Sequence, residues 1–579
     1  MKRITLLFSE SSRVAKARRA EAAHHLYPVS NGGGETEHWI RGDDAYLAVN
    51  GCRHFLWRLG LPHRRLEESQ IDWKQMNEAD QLWIPEGEAL RSQSLEAIER
   101  IAAAGQTEII VTGVTNLPAR LFGAAANGSR RLAGWLTGGE KEHPPLFLAP
   151  PGYRFMESRP ESPDPDPGTP LLAEGSGTAS PPPGPARPAG RLWHRKGNLF
   201  WVPAPCFEYW GGLLQGQTDW WPLKETIGLE SPWYLDRLFR WFSRALAAAG
   251  VSVLESLRIS PWGERDHAVI LRHDTDDSAD PKFWEIERDR RLPATYAVLD
   301  DQRAGLWRER LRGTPHLETA LHYRSNRTGW LESARMRWLK RLPGPDREAV
   351  SPRGLAAQVR AAQKRLGTLR TLHRHYHYLH YPEHLFALEH LFRELPEILG
   401  AGSFSRFQIF RYGGAETVLI RHPGAGVPFS FPIRPVIASR ERQTPLAGWE
   451  SGGMIEPDEA TLNRAFRFAD AFPGGAYLWV FHPAHTRGWI LRPEGTLAAF
   501  EAALRKLNDR WWLTSAQDLY RRMNLWARLE IRKSAAGWEL FNGGEAVFPK
   551  LTASRNGRRF PLGDLPGGTA RRLEGMDAD

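Results

Sequence analysis

Twelve prolines fall in the 41 residues between Pro150 and Gly190, among Gly, Ser, Thr and Asp, in runs such as ESPDPDPGTP and SPPPGPARPAG. Proline fixes φ and removes a backbone donor, so this composition predicts a stiff, exposed linker or insertion and not a packed core. It divides a chain of 579 residues into parts long enough to bury cores of their own. The expected units are an N-terminal α/β domain over 1–149, the linker over 150–190 and a connecting segment with a Trp-rich helix over 191–250. The main domain then covers 251–525, and a β-rich extension covers 526–579.

Upstream of the prolines, strand and helix patterns alternate. Leu82 to Gly87 (LWIPEG) is a short apolar run ending in Pro and Gly. Ser92 to Gly105 reads as an amphipathic helix capped by Ser92 and stopped by glycine, and Thr107 to Gly113 (TEIIVTG) as a β-branched strand. This is one βαβ unit, and the segment before it fits another helix and strand, so a small doubly wound parallel sheet is predicted. The chain has two cysteines, Cys52 and Cys206, without metal-ligand spacing. Cys52 lies in a helical pattern and reads as a small buried hydrophobe, and any metal must use histidines and carboxylates.

Downstream, Ser231 to Gly250 is predicted as a helix with Ser231 as N-cap, Pro232 at the first turn and Gly250 just past the end. The strand-like runs HAVILRHD, PATYAVLD, LETALHYRS, AYLWVFHPAH and DRWWLT then alternate with helices such as SPRGLAAQVRAAQKRLG and EGTLAAFEAALRKLN. Such alternation over more than 250 residues predicts a barrel of parallel strands or a large open sheet. In either, the active site collects at the C-terminal ends of the strands.

The run His267 to Leu271 delivers Arg272, His273, Asp274, Thr275, Asp276 and Asp277 at such an end. Carboxylates this close repel one another, and a divalent cation resolves the conflict. His322 ends a second strand pattern, and His482 and His485 end a third. Between them the segment LHRHYHYLHYPEH holds His373, His375, His377, His380 and His384, of which one or two are candidate ligands and the rest a polar, aromatic-packed surface. Imidazole with carboxylate suits zinc, with cobalt, manganese or iron as alternatives, at a site keeping positions open for water and substrate.

In order along the chain, LRHDTDD, PATYAVLD, ETALH, HYL, FRYGG and VFHP resemble the NodB-like polysaccharide deacetylases of carbohydrate esterase family 4, in their divergent R-H-D-x-D branch. The resemblance runs from near His267 to near Trp512. It implies a distorted (β/α) barrel of about seven strands and metal-dependent hydrolysis of N-acetyl groups on sugar polymers. It further implies Asp274 as general base, Arg411 as the arginine that orients it, and His482 as general acid. Asp276, His322 and His377 become the metal ligands. A second metal histidine common in the family falls at Asn326, and His375 stands where the R-x-H-Y-L element, continued by His377, Tyr378 and Leu379, has its arginine. Trp489 and Tyr412 are the expected substrate-binding positions, with Trp479 equally suited to the core. The N-terminal half is similar at fold level to class I glutamine-amidotransferase domains, but its strand runs into Gly113, Val114 and Thr115 with no cysteine, so no amidotransferase activity is expected.

The leading expectation is therefore a metal-dependent amide hydrolase acting on a carbohydrate, and the alternative is a deacetylase-like barrel that binds sugar without chemistry. The net charge of +10 admits an anionic-polymer binder, but 77 basic against 67 acidic residues are thinly spread and no nucleic-acid motif accompanies them. The start MKRITLLFSESSR is too short in apolar residues for a signal peptide, and no run approaches a membrane span, so a cytoplasmic location is expected.

Overall fold

The computed structural model describes residues 2–12, 15, 47–76, 80–131, 133–137, 146–149, 154–160, 171–175, 188–191, 193–208, 242–243, 246–247, 249–251, 257–275, 278–323, 352–374, 391–403, 416–420, 429–435, 466, 476–481, 483, 493–535, 537–555 and 558–573. At the N-terminus, β1 (Arg3–Phe8), β2 (His63–Glu67), β3 (Asp80–Ile84) and β4 (Glu108–Thr112) lie parallel in the order β2-β1-β3-β4. Helices α1 (Leu47–Arg58) and α2 (Ser92–Ala104) connect them, as the doubly wound expectation requires. Gly105 ends α2 in the left-handed region at φ 70. Ser92 is the first helical residue and not the cap: Arg91 takes the cap position, and its N–H donates to Glu68 Oε1 over 2.6 Å.

The segment read as a linker carries strands between its prolines. β5 (Ala124–Arg131) pairs antiparallel with β8 (Arg154–Pro160). β6 (Ala133–Thr137), β7 (Leu146–Ala149), β9 (Leu171–Gly175) and β10 (Pro188–Arg191) form a sheet in the order β10-β9-β6-β7. Proline sits only at the first or last position of these strands, where it breaks no central ladder bond. Beyond them, β11 (His194–Lys196) and β12 (Leu199–Val202) return to the first sheet, β12 lying parallel to β4. The N-terminal sheet thus draws two strands from the 191–250 segment. Of the expected 231–250 helix only a few positions are described, among them buried Phe242 and Leu246 and Gly250 at φ 68.

The second unit is a distorted (β/α) barrel. A short strand, β13 (Arg258–Ser260), precedes β14 (His267–Asp274), β15 (Ala294–Val298), β16 (Leu317–Tyr323), β17 (Thr371–Arg374) and β18 (Gly400–Ser403). β19 (Glu416–Ile420), β20 (Phe429–Pro435), β21 (Ala476–Val480) and β22 (Trp511–Thr514) follow. Nine strands join in the order β15-β16-β17-β18-β19-β20-β21-β14-β22, and a β14–β15 pairing closes the ring. Two causes raise the number above the seven expected. β19 runs antiparallel to both neighbours, and β14 changes partner midway, pairing with β22 through Ile270 and with β15 from Arg272 onward.

Helices α3 (Lys282–Arg290), α4 (Ala304–Arg312), α5 (Pro352–Leu366) and α6 (Pro493–Lys506) cover the outer face. There Phe283, Trp307, Val359 and Phe500 join Val269, Leu271, Tyr296 and Leu321 in one buried cluster. α7 (Ala516–Trp526) packs instead with Ala268, Ile270, Ala476 and Leu478, on the inward face. β14 is buried on both sides, which is why its sequence is a continuous apolar run and not an alternation.

The C-terminal residues form β23 (Leu529–Ser534), β24 (Gly537–Asn542), β25 (Phe548–Arg555), β26 (Arg558–Leu565) and β27 (Ala570–Arg572), in two sheets ordered β23-β24-β27 and β13-β25-β26. α1 contributes Phe55 to the N-terminal aromatic cluster, 5.5 Å from Phe207, and Trp57 to the barrel side, 5.5 Å from Trp262. Cys52 and Cys206 are free and buried, and burial pushes both thiols up. No described helix is long and apolar enough to cross a membrane.

Candidate active site

Strand register decides which side chains share the inward face. Arg272 pairs with Thr295 and Asp274 with Ala297; Thr295 pairs with Glu318; and His322 pairs with His373. In a parallel sheet paired residues point the same way and successive residues alternate. Arg272, Asp274, His322 and His373 therefore stand on one face at the C-terminal ends of β14, β16 and β17. All four are buried, with exposures of 0%, 0%, 2% and 1%.

Their hydrogen bonds fix proton positions. Arg272 Nη2 donates to Asp274 Oδ2 at 3.1 Å, and Arg272 Nε lies 2.9 Å from Oδ1 as an ion-pair contact. Its Nη1 lies 3.0 Å from Nδ1 of His373. A guanidinium only donates, so His373 Nδ1 accepts and that ring carries its proton on Nε2. His322 Nδ1 lies 3.2 Å from the backbone oxygen of His373. A carbonyl only accepts, so His322 donates from Nδ1. Metal-ligating histidines usually give one ring N–H to a backbone carbonyl or a carboxylate in this way.

His273 points the opposite way, toward α3. Its Nε2 lies 2.7 Å from Glu287 Oε1 and its Nδ1 3.0 Å from the Phe481 carbonyl. The Tyr296 hydroxyl donates to Glu287 Oε2 at 2.7 Å, and burial beside that carboxylate pushes the phenol well up. This outward cluster ties β14 to α3, β15 and the end of β21. The turn after β14 is pinned on both sides. Thr275 N–H donates to the Ala297 carbonyl at 3.0 Å, and the Trp307 indole N–H donates to the Ser278 carbonyl at 3.0 Å.

One layer below the cluster lies Glu318. Thr295 Oγ1 donates to its Oε2 at 2.8 Å and the Gln517 N–H at 2.7 Å, while Thr371 Oγ1 donates to Oε1. One carboxyl so joins β15, β16, β17 and the first turn of α7. Burial outweighs these bonds and pushes the carboxyl up to about 7.

Of the residues nominated from sequence, Asp274 and His322 lie on the inward face of the barrel, on β14 and β16 with β15 between them. Asp276, His377, Arg411, Tyr412, His482 and Trp489 lie outside the described residues, as do Asn326, His375 and His485. Trp479 is a core residue, 5.6 Å from Phe466. Among the described residues no three His, Cys, Asp or Glu side chains converge as a metal set. The donor types that are described fit a divalent cation in kind: an imidazole and a carboxylate on one buried face. Sequence reasoning gave no role to Arg272 and did not single out His373 from its neighbours. A signal existed in the recurrence of Leu-His at the ends of two strands, Leu321-His322 and Leu372-His373, which register brings side by side.

No protein-family model matches the chain, and no curated protein matches it. Among solved structures, similar chains include the Xyl-CE4 domain of a multidomain xylanase from the hindgut metagenome of Trinervitermes trinervoides. It has a TM-score of 0.23 and 10% identity, with 45% of this chain and 91% of that one covered. Alpha-L-fucosidase isoenzyme 2 from Paenibacillus thiaminolyticus has a TM-score of 0.27 and 12% identity, with 45% of this chain covered; the match spans 34% of the fucosidase chain. Likeness at this level assigns neither fold nor activity.

Proposed function

We propose that the barrel is a metal-dependent hydrolase that removes N-acetyl groups from a glycan or glycan precursor. The observation that supports this reading is that an arginine-held carboxylate, Asp274, and an imidazole, His322, stand on one buried face at the C-terminal ends of the barrel strands. Asp276, His322 and His377 are the residues that would hold the ion, zinc first and cobalt, manganese or iron next. Such an ion supplies a Lewis acid for the amide carbonyl and lowers the pKa of water.

The chain's own groups do the rest. Asp274 takes the proton of the attacking water, since its carboxylate is ionised opposite a guanidinium that cannot deprotonate. His482, protonated, gives a proton to the departing sugar nitrogen as the C–N bond breaks, so that acetate and a free amino sugar leave. Trp489 and Tyr412 offer aromatic faces to the sugar rings.

The test is acetate release from a panel of N-acetylated saccharides together with elemental analysis of the full chain. Asp274→Asn is expected to keep its metal and lose acetate release, and His322→Ala to lose both. Full activity in the Asp274 variant would remove the assigned base. The second reading, a barrel that binds sugar without hydrolysing it, is favoured by Asn326 at a family ligand position. It predicts saccharide binding with no acetate released under any of the four metals.

A further inference from the structure

We propose that Arg272, and not only Arg411, is the positioning residue of this reaction; the inference rests on the hydrolase reading above. Three of its nitrogens meet the site: Nη2 donates to Asp274 Oδ2, Nη1 donates to His373 Nδ1, and Nε lies 2.9 Å from Asp274 Oδ1 as an ion pair. The resemblance assigns the orienting role to Arg411, some 140 residues away in sequence. Here the clamp comes from the same strand as the base, two residues before it, on the same face of a pleated ladder fixed on both edges. Base and clamp thus cannot drift apart when loops move.

Charge and geometry both require this arginine. A guanidinium with no exposure is several kcal/mol less stable than in water unless a carboxylate meets it, and Asp274 is that partner. The hydrogen bond to Oδ2 together with the ion-pair contact at Oδ1 meets both oxygens of the carboxylate and restrains its rotation about the side-chain bond. A lysine at 272 would restore the charge but not the plane. The third contact extends the frame. Arg272 holds the His373 ring, and the backbone oxygen of that residue receives the His322 N–H, so base, arginine and ligand imidazole form one hydrogen-bonded series across β14, β17 and β16.

The experiment measures kcat, KM, metal content and melting of the zinc-loaded full chain on N-acetylglucosamine oligomers, for wild type, Arg272→Lys, Arg272→Gly and Asp274→Asn. In Arg272→Lys a misplaced base is expected to lower kcat by about 100-fold with KM and metal content unchanged. Millimolar guanidinium should restore part of kcat in folded Arg272→Gly and none in Asp274→Asn, a rescue that a purely structural residue would not give. Undiminished kcat in Arg272→Lys, a loss confined to KM or to metal content, or unfolding of both Arg272 variants would overturn the proposal. Wild type inert with zinc, cobalt, manganese and iron would instead overturn the hydrolase reading, and this inference with it.

Discussion

Glu318 makes the barrel sensitive to pH in an unusual direction. Its carboxyl stands near 7 in the folded chain against an ordinary value of 4.5, because burial disfavours the charge more than three donors favour it. A group whose folded pKa is raised binds its proton more tightly when folded. Its contribution is fully present below about pH 4.5 and is lost as pH rises through about 7. A displacement of roughly two to three units corresponds to about 3 kcal/mol. For a domain of this size that is about 6 °C of melting temperature, at about 2 °C per kcal/mol. Glu318→Gln keeps the shape and removes the titration, with Thr295 and Thr371 free to rotate their hydroxyls to suit an amide. Melting curves taken from pH 4.5 to 8.5 should show wild type losing stability relative to the variant across that window. Parallel curves for the two proteins would refute the reasoning, since every other titrating group is common to both.

Three further outcomes are expected. Glu68, in the short 3-10 turn just after β2, has the opposite sign: burial raises its carboxyl, but the Arg91 and Ser11 amides and the Ser9 and Ser11 hydroxyls outweigh it and lower it. Glu68→Gln should therefore cost about 2 kcal/mol at pH 7 in urea unfolding, with the difference shrinking as pH falls below about 4.5. Tyr296→Phe deletes the 2.7 Å bond to Glu287 inside the barrel wall and should destabilise by roughly 2 kcal/mol without changing metal content. Gly263 has φ +67, and a Cβ there would lie 2.5 Å from the Lys550 carbonyl. Gly263→Ala should cost about 2 kcal/mol and expose β25 to faster proteolysis than wild type, measured by limited digestion.

The legible parts of the fold were those set by local pattern. His267 to Asp274 could be read as a buried strand because both of its faces meet apolar layers, and Pro352 to Leu366 as a helix from its spacing alone. The β-like pattern of β12 was legible but its partner was not, because β4 lies on the far side of the proline-rich stretch and parallel pairing at that separation leaves no local mark. β19 was hidden for a related reason: nothing in its sequence announces that it runs against its neighbours. In the site, motif order nominated Asp274 and His322. Arg272 needed one more step, that residues two apart on a strand share a face, and His373 needed the register between β16 and β17.

Gly123 and Lys196 nearly touch: a Cβ on the glycine would lie 3.7 Å from the lysine's own Cβ, and the lysine ammonium donates to the Arg120 carbonyl at 3.3 Å. The backbone therefore departs from the first sheet and comes home at the same spot, some seventy residues later. Six of the described strands and the proline-rich stretch lie between these two points. Such a detour can be trimmed, exchanged or replaced by a short turn while the parallel ladder beneath keeps its order, which makes this junction the natural place to graft a tag or a foreign module.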